Sequence, residues 1–246
     1  MIFSLEGNIG SGKSTILQQL KDRLVANPCI KFLQEPVAEW ENIKDAEGTT
    51  ILEKFYGNQE KYAFSFQMMA YISRLALLKK TIRENPDCHI VTERSINTDK
   101  NVFAKMLRED DKIEDINYQI YLKWFDEFIE DTMIDGIIYI KATGQTCFDR
   151  VKKRSRNGES NIPLEYLERC GKEHDNWIID KYHGPKLVID VNTNTDEHPN
   201  QTTAWLDSIV DFMFNEIEDG SDLIVDEEVK KVTDNLIANT VNSVFN

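Results

Sequence analysis

A glycine-rich stretch at residues 5–16, LEGNIGSGKSTI, restricts the possible folds of this chain more than any other segment. It contains Gly7-x-x-x-x-Gly12-Lys13-Ser14 between a strand-like apolar run and apolar residues at helical spacing. Glycines let successive backbone N–H groups point inward, and the following helix adds the positive end of its dipole. An ordinary glycine-rich turn is the alternative. The context instead predicts a triphosphate-binding loop, with Lys13 on the outer phosphates and Ser14 on Mg²⁺.

Short apolar runs along the chain are typical of buried parallel strands, and they occur at residues 2–5, 30–33, 89–92, 136–140 and 187–191. Helical patterns lie between and after them, at residues 13–25, 58–83, 97–107, 116–133, 147–153, 163–179 and 202–217. Strands that alternate with helices form crossover units. The predicted fold class is therefore α/β, with a central parallel sheet of about five strands covered by helices on both faces.

The chain has 246 residues, of which 41% are hydrophobic, and this is enough for one large core. We expect a single domain over residues 1–218. The remaining residues, 219–246, begin with an acidic linker and continue with Val225, Val229, Val232 and Leu236 on one helical stripe. This predicts an amphipathic helix that packs on the domain or on a second subunit.

A formal net charge of −14 argues against a nucleic-acid polymer as partner, because backbone binding needs a surplus of Lys and Arg. The four cysteines have no paired spacing and the four histidines have no metal-ligand spacing. No apolar run reaches membrane-spanning length, and the first strand begins at residue 2. These features predict no membrane partner and a cytoplasmic location.

Charged residues follow several of the predicted strands. Glu35 follows the second strand, and Glu93 and Arg94 follow the third. After the fourth strand, a predicted helix leads into Arg150-x-x-x-Arg154-x-Arg156. Because ligands of parallel sheets bind beyond the carboxyl ends of the strands, these residues are expected to form the site.

Four motifs, EPVAEW, SFQMMAYISRL, ERSINTDKNVFAKML and RSRNGESNIPLEYL, begin at residues 35, 65, 93 and 154. Together they resemble the deoxyribonucleoside kinase family, from the phosphate loop to about Val191. The similarity is closer to the deoxyguanosine and deoxycytidine kinases than to the thymidine-using branch. It implies a P-loop kinase fold with an arginine-rich lid, Mg²⁺, ATP as phosphate donor, a deoxynucleoside substrate and a homodimer.

The resemblance assigns catalytic roles to Glu35, Arg94, Lys13 and Arg154. Glu35 matches the general base, Arg94 the arginine that holds the base and the substrate's 5′-hydroxyl, and Glu93 the partner of Ser14 on Mg²⁺. A carboxylate that accepts the hydroxyl proton assists an attack that otherwise depends on positioning and charge neutralisation. The alternatives are a surface glutamate at Glu35 and a local ion pair between Glu93 and Arg94.

The donor site comprises the loop and the lid. The resemblance places the ATP-binding residues at Gly7, Asn8, Ile9, Gly10, Ser11, Gly12, Lys13, Ser14, Thr15, Arg150, Arg154 and Arg156. Lid arginines are expected to contact the transferred phosphate and to exclude water on closure. The alternative for this charge run is a solvated helix face.

The nucleoside site is assigned in the same way. Tyr56 and Glu159 match residues at the sugar 3′-hydroxyl, Gln67 matches a residue at the base edge, and Arg74 and Asp99 match residues that face the base. An apolar slot for the base is expected from Trp40, Phe66 and Phe103, lined in depth by Val37, Leu52 and Phe55. Plain core packing of Phe66 and Phe103, and a structural Arg74–Asp99 salt bridge, are the alternatives.

The sequence thus predicts transfer of the γ-phosphoryl group of Mg·ATP to the 5′-hydroxyl of a deoxynucleoside. Purine and cytosine bases are expected to be favoured over thymine, because an arginine and a carboxylate suit their acceptors and amines. A nucleoside monophosphate kinase is the alternative enzyme. A noncatalytic nucleotide-binding subunit of the same fold is the alternative from another class of protein.

Overall fold

The computed structural model of the chain describes residues 1–154, 162–193, 198 and 200–219, without the side chains of residues 131 and 219. Its sheet consists of five strands: β1 (Ile2–Gly7), β2 (Ile30–Leu33), β3 (His89–Glu93), β4 (Gly136–Lys141) and β5 (Lys186–Asp190). All neighbours are parallel, in the order β2-β3-β1-β4-β5. The strand that precedes the glycine-rich loop therefore lies at the centre of the sheet.

The α-helices within the described residues are α1 (Lys13–Arg23), α2 (Val37–Asn42), α3 (Ile51–Gly57), α4 (Gln59–Glu84), α5 (Ile96–Thr98), α6 (Lys105–Glu109), α7 (Asp115–Phe128), α8 (Gly144–Arg154), α9 (Leu164–Asp175) and α10 (Gln201–Asp219). A π-helical segment, Asp99–Ala104, joins α5 to α6, and another, Asn176–Lys181, follows α9. None of these helices is long and apolar enough to cross a bilayer.

Both faces of the sheet are covered by apolar side chains from the helices. On one face, Leu5 and Ile138 pack with residues of α1 and α10, including Leu17 and Ile209. On the other face, the strand residues of β4 pack against the segments around α6 and α9, with contacts among Ile137, Tyr139, Val102, Met106 and Ile178. Helices on both faces of a five-stranded parallel sheet confirm the predicted fold class.

The strand register brings the carboxyl ends of the central strands to one edge. Leu5 of β1 pairs with Glu93 of β3 and with Ile138 of β4, and Gly7 pairs with Ile140. The segments that leave these strands consequently converge at this edge, where ligands of such sheets bind.

Two short helices, α2 and α3, were absent from the sequence prediction. α3 begins with a reciprocal capping box in which the Thr50 side chain accepts from the Glu53 N–H and the Glu53 carboxylate accepts from the Thr50 N–H. The predicted helix at 116–133 is wrong at its end, because α7 stops at Phe128 and a 3₁₀ turn, Glu130–Thr132, follows. The Thr132 N–H closes that turn on the Ile129 carbonyl at 3.0 Å.

The predicted helices at 97–107 and 163–179 are present but include the π-helical segments. A π-helical segment inserted between α-helical turns often marks a functional site. Here the first one carries Asp99 and Phe103, both at the edge where the loops converge. The C-terminal amphipathic helix predicted within 219–246 lies outside the described residues.

Candidate active site

The loop between β1 and α1 contains three glycines with positive φ, and at two of them a side chain would also clash. Gly7, Gly10 and Gly12 have φ values of +149°, +80° and +101°. A Cβ on Gly7 would lie 2.5 Å from the Ile140 carbonyl oxygen, and one on Gly10 would lie 2.6 Å from that of Cys147. The loop therefore combines left-handed backbone with close approach to β4 and α8.

The loop is also tied to α9 and leaves the start of α1 open. The Asn8 side-chain amide donates to the Leu167 carbonyl at 2.7 Å. Gly12 is the N-cap of α1, and no side chain accepts hydrogen bonds from the first N–H groups there. Open N–H groups at a helix N-terminus, behind a rigid glycine loop, form an anion site.

Lys13 and Ser14 point toward this anion site. The Lys13 ammonium donates to the Asn8 carbonyl at 2.7 Å and its residue is only 5% exposed. Burial, helped by the positive charge of Arg94, lowers the pKa of Lys13 from 10.5 to about 7. The Ser14 hydroxyl donates to Glu93 Oε1 at 2.5 Å. A buried lysine with a lowered pKa thus lies beside a hydroxyl and carboxylate pair.

Glu35 lies within a cluster of buried charges. Arg74 bonds Glu35 Oε1 through one Nη at 2.9 Å, Asp99 through Nε at 3.0 Å and the Glu93 carbonyl through the other Nη at 3.1 Å. Arg94 Nε lies 3.5 Å from the same Glu35 oxygen. Burial alone raises the pKa of Glu35, but the charges of Arg74 and Arg94 outweigh it and lower the pKa to about 2. Glu35 is therefore ionised.

Asp99 also bonds Arg74, but its pKa shifts in the opposite direction to that of Glu35. Burial raises the pKa of Asp99 above its usual value, although Arg74 opposes the shift. Burial lowers the pKa of Arg74, yet the two carboxylates outweigh it and raise the pKa overall. The guanidinium therefore remains charged between the two acidic groups, Glu35 and Asp99.

Arg94 is fixed from several sides. Its backbone has φ +62°, a left-handed conformation that is uncommon for residues other than glycine. Its guanidinium donates to the Gly7 carbonyl at 2.7 Å, lies 3.4 Å from Nε2 of His174 and stacks 4.9 Å from the Phe103 ring centroid. Burial, and then the charge of Arg94, lower the pKa of His174 to about 3, so this imidazole is neutral.

Aromatic side chains form one wall beyond Glu35. Phe55 stacks on Phe66 with centroids 4.5 Å apart, and Trp40 meets Phe66 edge-on at 5.5 Å. The Trp40 indole N–H donates to Ser73 Oγ at 2.9 Å. Gln67 is buried beside Phe66, and its amide oxygen has no hydrogen-bond partner among the described residues. A ligand group that donates to this oxygen would satisfy it.

The donor side is flanked by arginines from α8. Arg150 donates to the Ser11 carbonyl at 3.1 Å and to the Val191 carbonyl at 2.8 Å, so it bridges the glycine loop and the exit of β5. Arg150 also lines the cavity, and its contact with the transferred phosphate stays a prediction. Arg154, at the end of α8, lines the same cavity as the loop.

One cavity of about 510 Å³ joins these parts. Its lining includes most of the predicted residues: Ile9, Gly10, Ser11, Gly12, Lys13, Ser14, Thr15, Glu35, Val37, Trp40, Leu52, Phe55, Tyr56, Phe66, Gln67, Arg74, Glu93, Arg94, Asp99, Phe103, Arg150 and Arg154. Gly7 and Asn8, at the start of the loop, do not line this cavity. Arg156 and Glu159 lie outside the described residues.

Several residues of the cavity were missed by the sequence prediction. Tyr166 from α9 and Val191, Thr202 and Trp205 from the end of β5 and the start of α10 line it. Tyr166 lies within the motif that begins at residue 154, so that motif could have indicated Tyr166 as a site residue. Thr202 and Trp205 reach the cavity only because α10 packs against α1, and the local sequence gives no sign of that contact.

The family model for deoxynucleoside kinases matches residues 3–213 of the chain. The mouse and human deoxycytidine kinases are 33% and 34% identical to it, over 79% and 77% of this chain and 85% and 83% of theirs. The mitochondrial deoxyguanosine kinase of Xenopus laevis is 30% identical over 72% of this chain and 73% of its own. The match spans the glycine loop, the Glu35 cluster and the aromatic wall, and the chain belongs to the deoxynucleoside kinase family.

Proposed function

We propose that the protein transfers the γ-phosphoryl group of Mg·ATP to the 5′-hydroxyl of a deoxynucleoside, in the salvage of DNA precursors. One observation carries the proposal: an ionised carboxylate, Glu35, lies between two arginines in the cavity that also contains the phosphate loop and Lys13. A hydroxyl acceptor and a phosphoryl donor can therefore meet in one enclosed site. Two relatives named for deoxycytidine and deoxyguanosine support a deoxynucleoside substrate.

Glu35 is the proposed general base. Its low pKa keeps it ionised, so it can accept a hydrogen bond from the 5′-hydroxyl at any physiological pH. A carboxylate stabilised by two arginines is a weak base, and the proton is expected to move late, after the bond to the leaving group has lengthened. This suits phosphoryl transfer, in which positioning and charge neutralisation matter more than base strength.

Lys13, Arg94 and Arg154 are the proposed cationic groups of the reaction. Lys13 lies at the loop, Arg94 lies between Glu35 and the Gly7 carbonyl, and Arg154 lies at the end of α8. Together they line the space between donor and acceptor, where negative charge spreads in the transition state. Enclosure of this space also excludes water as a competing acceptor.

The residues near the loop suit Mg²⁺. Ser14 and Glu93 supply hard oxygen ligands 2.5 Å apart, and no cluster of three or more His, Cys, Asp or Glu side chains gathers among the described residues. Mg²⁺ commonly takes one or two protein oxygens and completes its shell with water and phosphate oxygens. When bound, the ion would neutralise phosphate charge and orient the triphosphate.

Base selectivity is proposed to reside in Gln67, Arg74 and Asp99. Their polar groups line the acceptor part of the cavity, which contains an arginine fork, a carboxylate and a buried amide oxygen. Guanine offers acceptors to an arginine, while adenine and cytosine offer an amine to an acceptor. Thymine places its O4 against the carboxylate and is expected to be the poorer substrate by about 1–3 kcal/mol.

A homodimer is proposed from an exposed apolar stripe of α7. Ile116, Ile120 and Trp124 follow each other at intervals of four, are 70%, 43% and 46% exposed, and lie on the same stripe of the helix. Light scattering should show a dimer, and Trp124→Asp should give a monomer if this stripe forms the interface. A monomer in the unaltered protein would instead indicate that the helix predicted within 219–246 covers this stripe of α7.

A cytoplasmic location also stays a prediction.

The proposed reaction is tested by incubating the protein with labelled Mg·ATP and each deoxynucleoside and deoxynucleoside monophosphate in turn. Label should appear in the monophosphates of purine deoxynucleosides and deoxycytidine. Glu35→Gln should lose most turnover, while Glu39→Gln, an exposed glutamate in α2, should not. Monophosphates as the better acceptors would identify a monophosphate kinase, and absence of transfer to any acceptor would favour a noncatalytic subunit.

A further inference from the structure

Glu6 is a buried carboxylate in the middle of the sheet. It lies in β1, directly before the glycine loop, with 0% exposure, and it does not line the cavity. Buried carboxylates usually face a cation. Among the described residues, no Lys or Arg nitrogen lies within 4.0 Å of Glu6, so another feature must account for its burial.

Within the part of the chain that the structure describes, each partner of Glu6 is a neutral hydrogen-bond donor, and most come from the turn after β3. Oε1 accepts from the Ser95 N–H at 3.0 Å, from Ser95 Oγ at 2.7 Å and from Ser4 Oγ at 2.5 Å. Oε2 accepts from Thr98 Oγ1. Ser95 is the N-cap of α5 and its own side chain caps nothing. Glu6 therefore ties the backbone and side chain of Ser95, and the side chain of Thr98, to β1.

The turn that Glu6 holds contains Arg94. The Arg94 N–H donates to the Leu5 carbonyl at 3.0 Å, and the next N–H, that of Ser95, donates to Glu6. Between these two anchors Arg94 adopts φ +62°, which costs free energy for any residue with a Cβ. Glycine would relieve the strain but would remove the guanidinium from Glu35. The backbone must therefore be held by other groups for Arg94 to point into the site.

We infer that Glu6 is a positioning residue for phosphoryl transfer, which acts by fixing the strained turn that directs Arg94 at Glu35. The inference rests on the proposed function. Because the donors are neutral, glutamine can replace Glu6: its carbonyl oxygen keeps the Ser95 bonds, and its amide donates to the Thr98 hydroxyl. Methionine has a similar length but accepts hydrogen bonds only weakly, so it leaves the Ser95 N–H without a good partner.

The experiment compares Glu6→Met and Glu6→Gln in the unaltered protein and in an Arg94→Lys background. Glu6→Met should lower kcat about 30-fold in the unaltered protein but less than about 3-fold in the Arg94→Lys background, since both changes affect one group. Glu6→Gln should stay within about 3-fold of the unaltered protein. Ser4→Ala, which removes a donor outside the turn, is the matched control and should behave like the unaltered protein.

An equal loss of kcat by Glu6→Met in both backgrounds would show a general structural role and would overturn the inference. A kcat close to that of the unaltered protein would also overturn it. If Glu6→Met does not fold, Thr98→Val, which removes the donor to Oε2, takes its place in the same two backgrounds with the same expected coupling. Failure of the unaltered protein to transfer phosphate would refute the proposed function itself, so the two results are distinguishable.

Discussion

Replacing Lys13 with methionine should make the nucleotide-free protein more stable at neutral and acidic pH. Burial lowers the pKa of Lys13 from 10.5 to about 7, so folding carries an unfavourable term while the lysine is charged. At 1.36 kcal/mol per pKa unit, this term is at most about 5 kcal/mol. Methionine removes it, at a cost of about 1 kcal/mol for the lost bond to the Asn8 carbonyl.

The net gain should be at most about 4 kcal/mol, which corresponds to a rise in Tm of up to about 8–16 °C for a chain of this size. The sign of the pH dependence follows from the folded pKa lying below the unfolded one. The unfavourable term is fully present below pH 7 and fades as the pH rises toward 10.5, where the unfolded lysine also loses its proton. The advantage of the Lys13→Met variant should therefore shrink over this interval.

The assay is thermal unfolding at pH 6 and at pH 9, in buffers free of phosphate, sulfate and nucleotide. Lys21→Met, an exposed position on the same helix, is the matched control and should show no pH-dependent difference. A Lys13→Met variant less stable than the unaltered protein at pH 6, or a gain that does not depend on pH, would refute the reasoning.

Other predictions concern turnover, selectivity and the tail. Glu35→Gln should lower kcat about 100-fold or more and leave deoxynucleoside binding, measured by calorimetry, nearly unchanged; normal kcat would exclude Glu35 as the base. The double change Arg74→Met with Asp99→Ala should shift the ratio of kcat/KM toward thymidine, while lowering kcat for every substrate because Arg74 also holds Glu35. Deletion of residues 226–246 should leave phosphoryl transfer intact and alter stability or assembly only; a well-folded but inactive truncation would contradict this.

The sheet could be predicted from the sequence because each buried strand is a short apolar run bounded by polar residues. β2 was predicted with its observed bounds, and the other strands differ by one or two residues. The short helices α2 and α3 were missed, since six or seven residues give too few turns for a helical period to show. The π-helical segments could not be predicted, because a local sequence pattern does not record a shifted hydrogen-bond register.

Much of the site could be anticipated from motifs, yet its supporting residues could not. Glu35, Arg74 and Arg94 lie within recognisable motifs. The structure brings both arginines within hydrogen-bond or ion-pair distance of Glu35. Glu6 was overlooked, although an acidic residue inside an apolar strand is itself an unusual pattern. His174 gave no signal, because its contact with Arg94 joins residues 80 positions apart.

The continuity of the cavity has a consequence for inhibition. The phosphate loop and the aromatic wall line the same space of about 510 Å³, with Glu35 and Arg94 between them. A single molecule that carries a deoxynucleoside at one end and several phosphates at the other can occupy both halves at once. Once one end of such a molecule is bound, the other end is held near its own half of the cavity at a high effective concentration. Such tethered compounds should inhibit competitively with respect to the deoxynucleoside and also competitively with respect to ATP.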